Sequence, residues 1–433
     1  MQMEAVSNGA LEALLRGDRE VPHSRVGWLS ELRAQALERA NALAVPTTRD
    51  EEWRFTDLTP LYKTRLQPVL QPAPAEPSAF EAWFIPEASS RLVFVDGLYS
   101  ATLSSTMAED GVIVSSLAAG LTKHGDELRA YVGRLADFRA DPFTAVNTAW
   151  LRDGALVTVA RERAVNRPIH LLFVSASPGA VVNPRVLVSV EAGAQCTVIE
   201  DYVSVHAEAG LTNGVTEIAV AAQAHVKHLR LQREPTSAFH IGTCAVHVGR
   251  NGRYKGVSVT LGGRISRYNL NVIQAGEGAE CEVDGLALIS GRQLADTHSF
   301  LDHALPHGRS RQTHKCIVGG AAHAVFNGKI LVRPGAQLTD AAQQSRNLLL
   351  SERAHVDTKP QLEIFADDVK CAHGATVGQL DADQTFYLRS RGLSAAAARN
   401  LLTYAFGAEV IERMEVASLA VRLQDVILRA TQH

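Results

Sequence analysis

Apolar residues follow three different patterns along this chain of 433 residues. Up to residue 154, stretches with helical spacing alternate with short strand-like runs. Between residues 155 and 385, short runs rich in Val, Ile, Leu and Thr alternate with turns of Gly, Asn, Asp and Ala. After Gly392 helical spacing returns. The pattern predicts an α-rich N-terminal domain (1–154), a β-rich core (155–385) and a helical C-terminal domain (386–433).

The N-terminal part begins with a predicted amphipathic helix. Apolar residues recur at helical spacing between Arg25 and Leu43, and Pro46 ends the pattern. Four prolines between residues 66 and 79 favour an extended linker. Residues 92–95 form an apolar run that ends at Asp96-Gly97, which predicts a strand and a turn. Residues 126–150 then predict further helix.

The β-rich core contains a loosely repeated unit: a Gly or other small residue, a small polar step and then a strand. Alanines 336, 354 and 375 lie about 20 residues apart, whereas earlier intervals are nearer 30. This imprecise period favours a right-handed parallel β-helix, in which small and β-branched side chains point inward and each turn uses Gly or Asn. A β-sandwich would give similar strands without the repeated unit. We therefore predict a mainly β protein with a β-solenoid core. The unit recurs at residues 193–198, 278–283, 335–339, 353–357 and 373–377.

The C-terminal tail is predicted to be helical from Leu393 to Phe406 and again from Glu409 to Ala430. Ser394 is the expected N-cap, and Gly407 the expected break between the helices. An apolar stripe along the second helix has to pack on the solenoid or on a partner. It consists of Val410, Met414, Ala417, Val421 and Leu428.

Composition excludes several classes of protein. The net charge of −3 and the lack of a dense Lys/Arg run give no support for nucleic-acid binding. Five scattered cysteines without a CxxC pair argue against a disulfide framework or a zinc finger and suit a reducing compartment. No apolar run approaches the ~18 residues of a membrane span, and no signal-peptide pattern is visible, so a soluble cytoplasmic protein is expected. Gly328-Lys329 lacks the rest of a phosphate loop, so no bound nucleotide is expected.

Cys371 and His373 are the strongest candidates for chemistry. Residues i and i+2 of a strand share one face, so this thiol and imidazole should project side by side. Both groups suit iron, zinc or iron–sulfur chemistry, but two ligands cannot complete a four-ligand site. Lys370 or Asp367 could tune such a site electrostatically. The alternative is a buried small side chain beside a hydrogen-bonded imidazole.

A histidine-rich segment at residues 296–316 offers a weaker metal candidate. Its spacings match no closed site, and Pro306 excludes a continuous ligand helix, so hydrogen bonding between neighbouring strands or at a subunit seam is expected instead. Parallel β-helices also include polysaccharide lyases and hydrolases, which use clustered carboxylates and basic residues. An aromatic content of 6% and the absence of an export signal count against that alternative. Its candidate residues would be Asp296, Asp302, His303 and Arg309.

Three motifs resemble the SufB/SufD family of iron–sulfur cluster assembly scaffolds. They are Glu-Trp-Arg-Phe-Thr at residues 52–56, Val-Phe-Asn-Gly-Lys-Ile at 325–330 and Val-Lys-Cys-Ala-His-Gly-Ala-Thr at 369–376. The last motif has the form of the SufD branch, and the chain lacks the N-terminal cysteine-rich motif of SufB chains.

The resemblance implies a non-enzymatic scaffold with a β-helix core. It implies pairing with SufB through the end of the β-helix and docking of the ATPase SufC on the helices at about 393–428. A transient iron–sulfur cluster, shared with SufB, would form at the interface. His373 matches the family histidine that acts there, and Cys371 is second. A further alternative, compatible with this one, is a homodimer in which the same solenoid end pairs with itself when SufB is absent.

Overall fold

The computed structural model describes residues 26–69, 71 and 77–430. Strands make up 42% and helices 22% of the structure, with a β-solenoid of about eight turns and helices toward the termini. This confirms the mainly β fold and the solenoid core. The α-helices are α1 (Gly27–Ala42), α2 (Thr59–Tyr62), α3 (Leu117–Leu128), α4 (Pro142–Ala149), α5 (Ala382–Ser390), α6 (Ala395–Glu412) and α7 (Ala417–Ala430). Short 3₁₀ turns lie at Glu51–Trp53, Pro77–Ala79 and Glu81–Trp83.

Two long sheets run the length of the solenoid. Sheet A contains β4 (Val112–Ser116), β5 (Gly154–Val159), β8 (Arg185–Val190), β10 (Leu211–Val220), β12 (Phe239–Val248), β14 (Ile265–Gln274), β16 (Leu294–His303), β18 (His323–Val332) and β20 (His355–Ile364), in that spatial order. Beside it, β1 (Gln67–Pro68) pairs with β7 (Ala180–Val182), which pairs with β10. Sheet B contains β3 (Leu98–Tyr99), β2 (Ser90–Val95), β6 (Ile169–Ser175), β9 (Gln195–Ser204), β11 (His225–Gln232), β13 (Arg253–Thr260), β15 (Glu280–Ile289), β17 (Arg309–Val318), β19 (Asp340–Leu349) and β21 (Lys370–Gly378), also in spatial order.

Each turn of the solenoid contributes one strand to each sheet, and every pairing from β5 and β6 onward is parallel. Ile265 pairs with Leu294, and Leu294 with His323, so one turn takes roughly 30 residues. The 20-residue interval in the sequence arises because Ala336 precedes a strand of sheet B and Ala354 precedes a strand of sheet A. The right-handed sense of the coil stays a prediction.

Helices cover the outer faces of both sheets. The interior between the sheets holds a long apolar core, for example Val188, Val246 and Val272, and a smaller apolar cluster around Cys316 and Ala324. α1 and α4 lie with the outer face of sheet A in a second cluster, and α6 and α7 lie on the outer face of sheet B in a third. Of the predicted C-terminal stripe, Val410 and Met414 pack in this third cluster on the solenoid of their own chain, whereas Ala417 and Val421 are exposed. Among the described residues, no helix has the length and apolarity that crossing a membrane would require.

The predicted N-terminal helix is confirmed as α1, whose Leu29, Leu32, Ala36 and Ala40 are buried. Of the predicted linker, residues 70 and 72–76 lie outside the described residues. The predicted strand at 92–95 belongs to β2, and helix in the 126–150 region is confined to the end of α3 and to α4. Residues 90–116 add strands to both sheets. The domain boundaries at 154/155 and 385/386 stay a prediction.

In the C-terminal prediction the helix cap is confirmed, but the helix break at Gly407 and the position of Val421 in the packed stripe are wrong. The side chain of Ser394 does cap α6, accepting a hydrogen bond from the Ala397 N–H at 3.1 Å. Gly407, however, does not break the helix. It lies inside α6, where an added Cβ would come within 3.1 Å of Ile427, so the glycine permits close approach of α7. Val421 is 61% exposed because the chain turns at Glu415, with φ of 54°, and the apolar spacing restarts in α7.

A buried ion pair fixes the N-terminal region on sheet A. Arg185 and Glu217 are fully buried, with Nη2 2.6 Å from Oε2. The guanidinium also donates to Asn147 and Thr148 of α4 at 3.0 and 3.1 Å. The Glu217 carboxylate accepts four backbone N–H groups of residues 133–136 at 2.9–3.1 Å. Every nitrogen of the guanidinium and both oxygens of the carboxylate thereby have a hydrogen-bond partner, as burial requires.

Candidate functional site

The solenoid ends at β20 and β21, which pair with β18 and β19 on one side only. No described strand pairs with the other edge of either strand. Apolar side chains are exposed at and just after this end: Leu338, Ile364, Phe365, Val377, Phe386 and Tyr387. Exposed apolar side chains beside unpaired strand edges are typical of a surface that another chain covers.

Cys371 and His373 lie on β21, and the structure places them on the same face of the strand. Cys371 pairs with Ala341 and His373 with Gln343 in β19. Ala341 and Gln343 are buried in the interior of the solenoid. Since paired residues of neighbouring strands point to the same side, Cys371 and His373 take inward-facing positions on the last turn. His373 is exposed and Cys371 half-buried, because no further turn covers them.

The electrostatics of this end favour a protonated thiol in the free chain. Partial burial raises the pKa of Cys371, and the nearby Asp340 carboxylate adds to the effect. A hydrogen bond from Arg311 at 2.6 Å lowers the pKa of Asp340, the strand partner of Lys370. Asp367 is exposed and near the start of β21. A metal that binds the thiolate therefore has to displace a proton.

A column of polar side chains lies beneath His373. The Gln343 amide donates to Gln312 Oε1 at 2.7 Å, and the Gln312 amide donates to Ser299 at 2.8 Å. Gln343 is 2% exposed, yet its Oε1 has no hydrogen-bond partner among the described residues. The column offers a buried acceptor one turn below the imidazole. The sequence prediction missed it, although aligning residues one turn apart would have placed Gln312, Gln343 and His373 in one row.

The interior also contains a histidine that should make stability depend on pH. His314 is buried against the Phe326 ring, with centroids 4.6 Å apart, and burial lowers its pKa to about 4. Between the ordinary value near 6.5 and about 4, the unfolded chain takes up a proton that the folded chain does not. The contribution of His314 to stability is therefore lost as the pH falls through that range, by up to about 1.4 kcal/mol per pH unit.

We expect the His314→Gln variant to lose less stability than the wild-type protein between pH 7 and pH 5. Urea unfolding at the two pH values measures the difference. The His307→Gln variant removes a half-exposed histidine and should keep the wild-type slope. Equal slopes in the wild-type protein and the His314 variant would contradict the assignment.

The residues considered for a sugar-cleaving site do not converge. Asp296 and Asp302 lie on the outer face of sheet A, where Arg267 and Arg333 pair with them at 2.6 Å. His303 points into the interior and bonds Ser310 at 2.9 Å, whereas Arg309 begins β17. Of the other histidines in the segment, His298 contacts both Asp296 and Glu52, His314 stacks on Phe326, and His307 lies 3.8 Å from Glu277. Within the part of the chain that the structure describes, these residues do not form a cleft lined by free carboxylates.

The fold and its end define a class of protein. It is a β-solenoid protein whose last turn, unpaired among the described residues, presents a thiol and an imidazole, two groups of the kinds that can hold iron. Comparison with known families identifies the family to which the chain belongs. Residues 173–406 match the model "SUF system FeS cluster assembly, SufBD core domain", and residues 15–171 match "SufBD protein N-terminal region". The chain belongs to the SufBD family, in agreement with the resemblance seen in its motifs.

Three relatives span nearly the same length. An iron–sulfur cluster assembly SufBD family protein of Synechocystis is 40% identical over 91% of this chain and 89% of its own. The iron–sulfur cluster assembly protein SufD of Escherichia coli is 33% identical over 92% of this chain and 91% of its own. The chloroplastic protein ABCI7 of Arabidopsis thaliana is 34% identical over 89% and 82%. The family supports a role in iron–sulfur cluster assembly.

Proposed function

We propose that this chain is a SufD-type, non-enzymatic scaffold subunit of a cytoplasmic iron–sulfur assembly complex. The observation that carries the proposal is the position of Cys371 and His373 on the inner face of an unpaired last turn. Two ligands need at least two more to hold a cluster, and a partner chain at this end supplies them. The cluster is the cargo of the scaffold. His373 contacts the cluster or its iron, with Cys371 as a second ligand.

The partner strand pairs with β21 rather than with β20. The Lys370 N–H bonds back to Thr339, so by alternation the backbone groups of residues 371, 373, 375 and 377 face the open edge. In β20 the His355 N–H bonds back to Ala322, which puts Pro360 at an edge-facing position. Proline has no N–H to offer there and discourages pairing. The receptive edge thus adjoins His373, and a SufB chain pairs there. Without SufB, a second copy of this chain pairs through the same edge.

The C-terminal helices provide the docking surface for the ATPase SufC. The inner sides of α6 and α7 are buried on sheet B, but Leu401 is 44% and Val421 61% exposed on their outer sides. Movement of a docked ATPase would act directly on sheet B, the sheet that ends in β21. ATP hydrolysis would in this way change the interface that holds the cluster.

We expect the Ala375→Pro variant to lose the SufB-like chain, because the substitution removes an edge-facing N–H and leaves the bonds to β19 intact. Ala375→Val keeps that N–H and should retain the partner. Anaerobic purification of the tagged chain from its native cytosol, with bound proteins identified and iron and sulfide assayed, measures both results.

A further variant in the same experiment distinguishes the binding surfaces of the two partners. Val421→Asp should release only the P-loop ATPase and keep the SufB-like chain, because it alters the helix surface and not the strand edge. Recovery of both partners with the Ala375→Pro variant would refute pairing through β21. Recovery of the wild-type chain alone, free of iron, would refute the scaffold function.

A further inference from the structure

Three side chains on the outer face of sheet A form a cluster that the scaffold function does not use. His323 is the first residue of β18 and pairs in register with His355, the first residue of β20. Asp357 lies two residues further along β20 and therefore on the same face as His355. Ala324 and Phe326 follow His323 on β18 by one and three residues, and both are buried in the interior. Because side chains alternate along a strand, His323 lies on the outer face.

The two imidazoles converge on one carboxylate oxygen. The distance from Asp357 Oδ2 is 2.7 Å to His323 Nε2 and 3.1 Å to His355 Nε2. The ring centroids of the histidines are 4.9 Å apart, with 50° between the ring planes. One ligand atom from each residue lies within 4.8 Å of the other two. The next outward cation of β20, Lys359, is engaged by Glu51 at 2.9 Å.

A simple ion pair explains this arrangement less well than a metal site does. The Asp357 carboxylate can accept hydrogen bonds from both neutral imidazoles, but hydrogen bonding alone does not require the second histidine, and two protonated imidazoles this close would repel each other. A divalent ion between them removes that repulsion and uses all three groups. Two imidazoles and one carboxylate form the ligand set of His₂-carboxylate zinc sites and of non-haem iron(II) sites with open positions.

We propose that His323, His355 and Asp357 bind one divalent transition-metal ion, Zn²⁺ or Fe²⁺. The ligands stand on paired strands, so the backbone register brings them together before the ion arrives. His355 is 66% exposed, which leaves a path for the ion and room for water in the remaining coordination positions. The ion also ties β20, the last strand of sheet A, to β18.

This site is separate from the candidate cluster ligands. Cys371 and His373 lie on the inner side of sheet B, whereas the three ligands lie on the outer side of sheet A. A test of metal binding at this site is therefore independent of the scaffold proposal.

Zinc binding is tested in a chain that carries Cys371→Ser and His373→Ala, so that the end of the solenoid contributes no ligands. After treatment with a chelator, the protein is titrated with ZnCl₂ in a calorimeter. We expect one ion per chain, with the affinity lowered on the order of tenfold or more by His355→Ala or by Asp357→Asn. ZnCl₂ should also raise the melting temperature of the parent protein but not that of the Asp357→Asn variant.

The matched control is His307→Ala. His307 is also an exposed histidine beside a carboxylate, 3.8 Å from Glu277, but it lacks a second imidazole. Its removal should leave zinc affinity unchanged. The proposal would be overturned if the parent protein bound no zinc. It would also be overturned if the His355→Ala and Asp357→Asn variants bound zinc as tightly as the parent protein does. Circular dichroism of each variant confirms that the exposed substitutions leave the fold intact.

Discussion

Changing His373 to Ala is expected to abolish iron–sulfur cluster formation and to leave the complex assembled. The imidazole is exposed on the last turn and has no hydrogen-bond partner among the described residues, so its removal does not weaken the solenoid. Its expected role is contact with the cluster or its iron. Iron and acid-labile sulfide, measured per complex after anaerobic purification, should fall to the background level.

The control for this variant is Thr376→Ala, an exposed position on the same strand that faces outward. It should assemble clusters at the wild-type level. Cys371→Ser should give an intermediate loss, because its thiol is the second candidate ligand. Normal cluster content in the His373→Ala complex would refute the site assignment while leaving the pairing through β21 intact.

Changing Arg185 to Met is expected to destabilise the folded chain by about 3–5 kcal/mol, which is typical when one partner of a buried ion pair is removed. Arg185 and Glu217 are both fully buried, so the substitution would leave the carboxyl group buried without its cation. The substitution also removes the hydrogen bonds that the guanidinium makes to Asn147 and Thr148. The free energy of unfolding in urea measures the loss.

A double variant distinguishes the contribution of the charges of this pair to stability from the contribution of its hydrogen bonds. Arg185→Met with Glu217→Leu removes both charges but leaves four backbone N–H groups of residues 133–136 without their acceptor. Of these residues Gly133 and Ala136 are buried, and each unpaired buried donor costs about 1–3 kcal/mol, so we expect no recovery of stability. The control is Arg309→Met, whose 4.0 Å ion pair with Asp340 is exposed and should contribute little. A loss with Arg185→Met no larger than with Arg309→Met would contradict the prediction.

Local sequence patterns correctly predicted those elements that do not depend on contacts between successive turns of the solenoid. α1 follows from helical spacing, and the cap at Ser394 follows from its hydroxyl. The pair Cys371 and His373 shares a face because strand geometry alone requires it. The error at Gly407 has a different cause, since glycine is placed there by the close approach of Ile427 and not by a helix end. Only the packing of α6 on α7 creates that requirement.

The sequence by itself determined the mainly β solenoid, the flanking helices, the family and the two candidate cluster ligands, because each depends on spacing or on a contiguous motif. Tertiary structure decided which residues meet across turns of roughly 30 residues. It brought Gln312 and Gln343 beneath His373, joined Arg185 to Glu217, and gathered His323, His355 and Asp357. It also left the outer edges of β20 and β21 without a pairing strand among the described residues. The exact number of residues in each turn sets these contacts, and a varying turn length hides them from any fixed period.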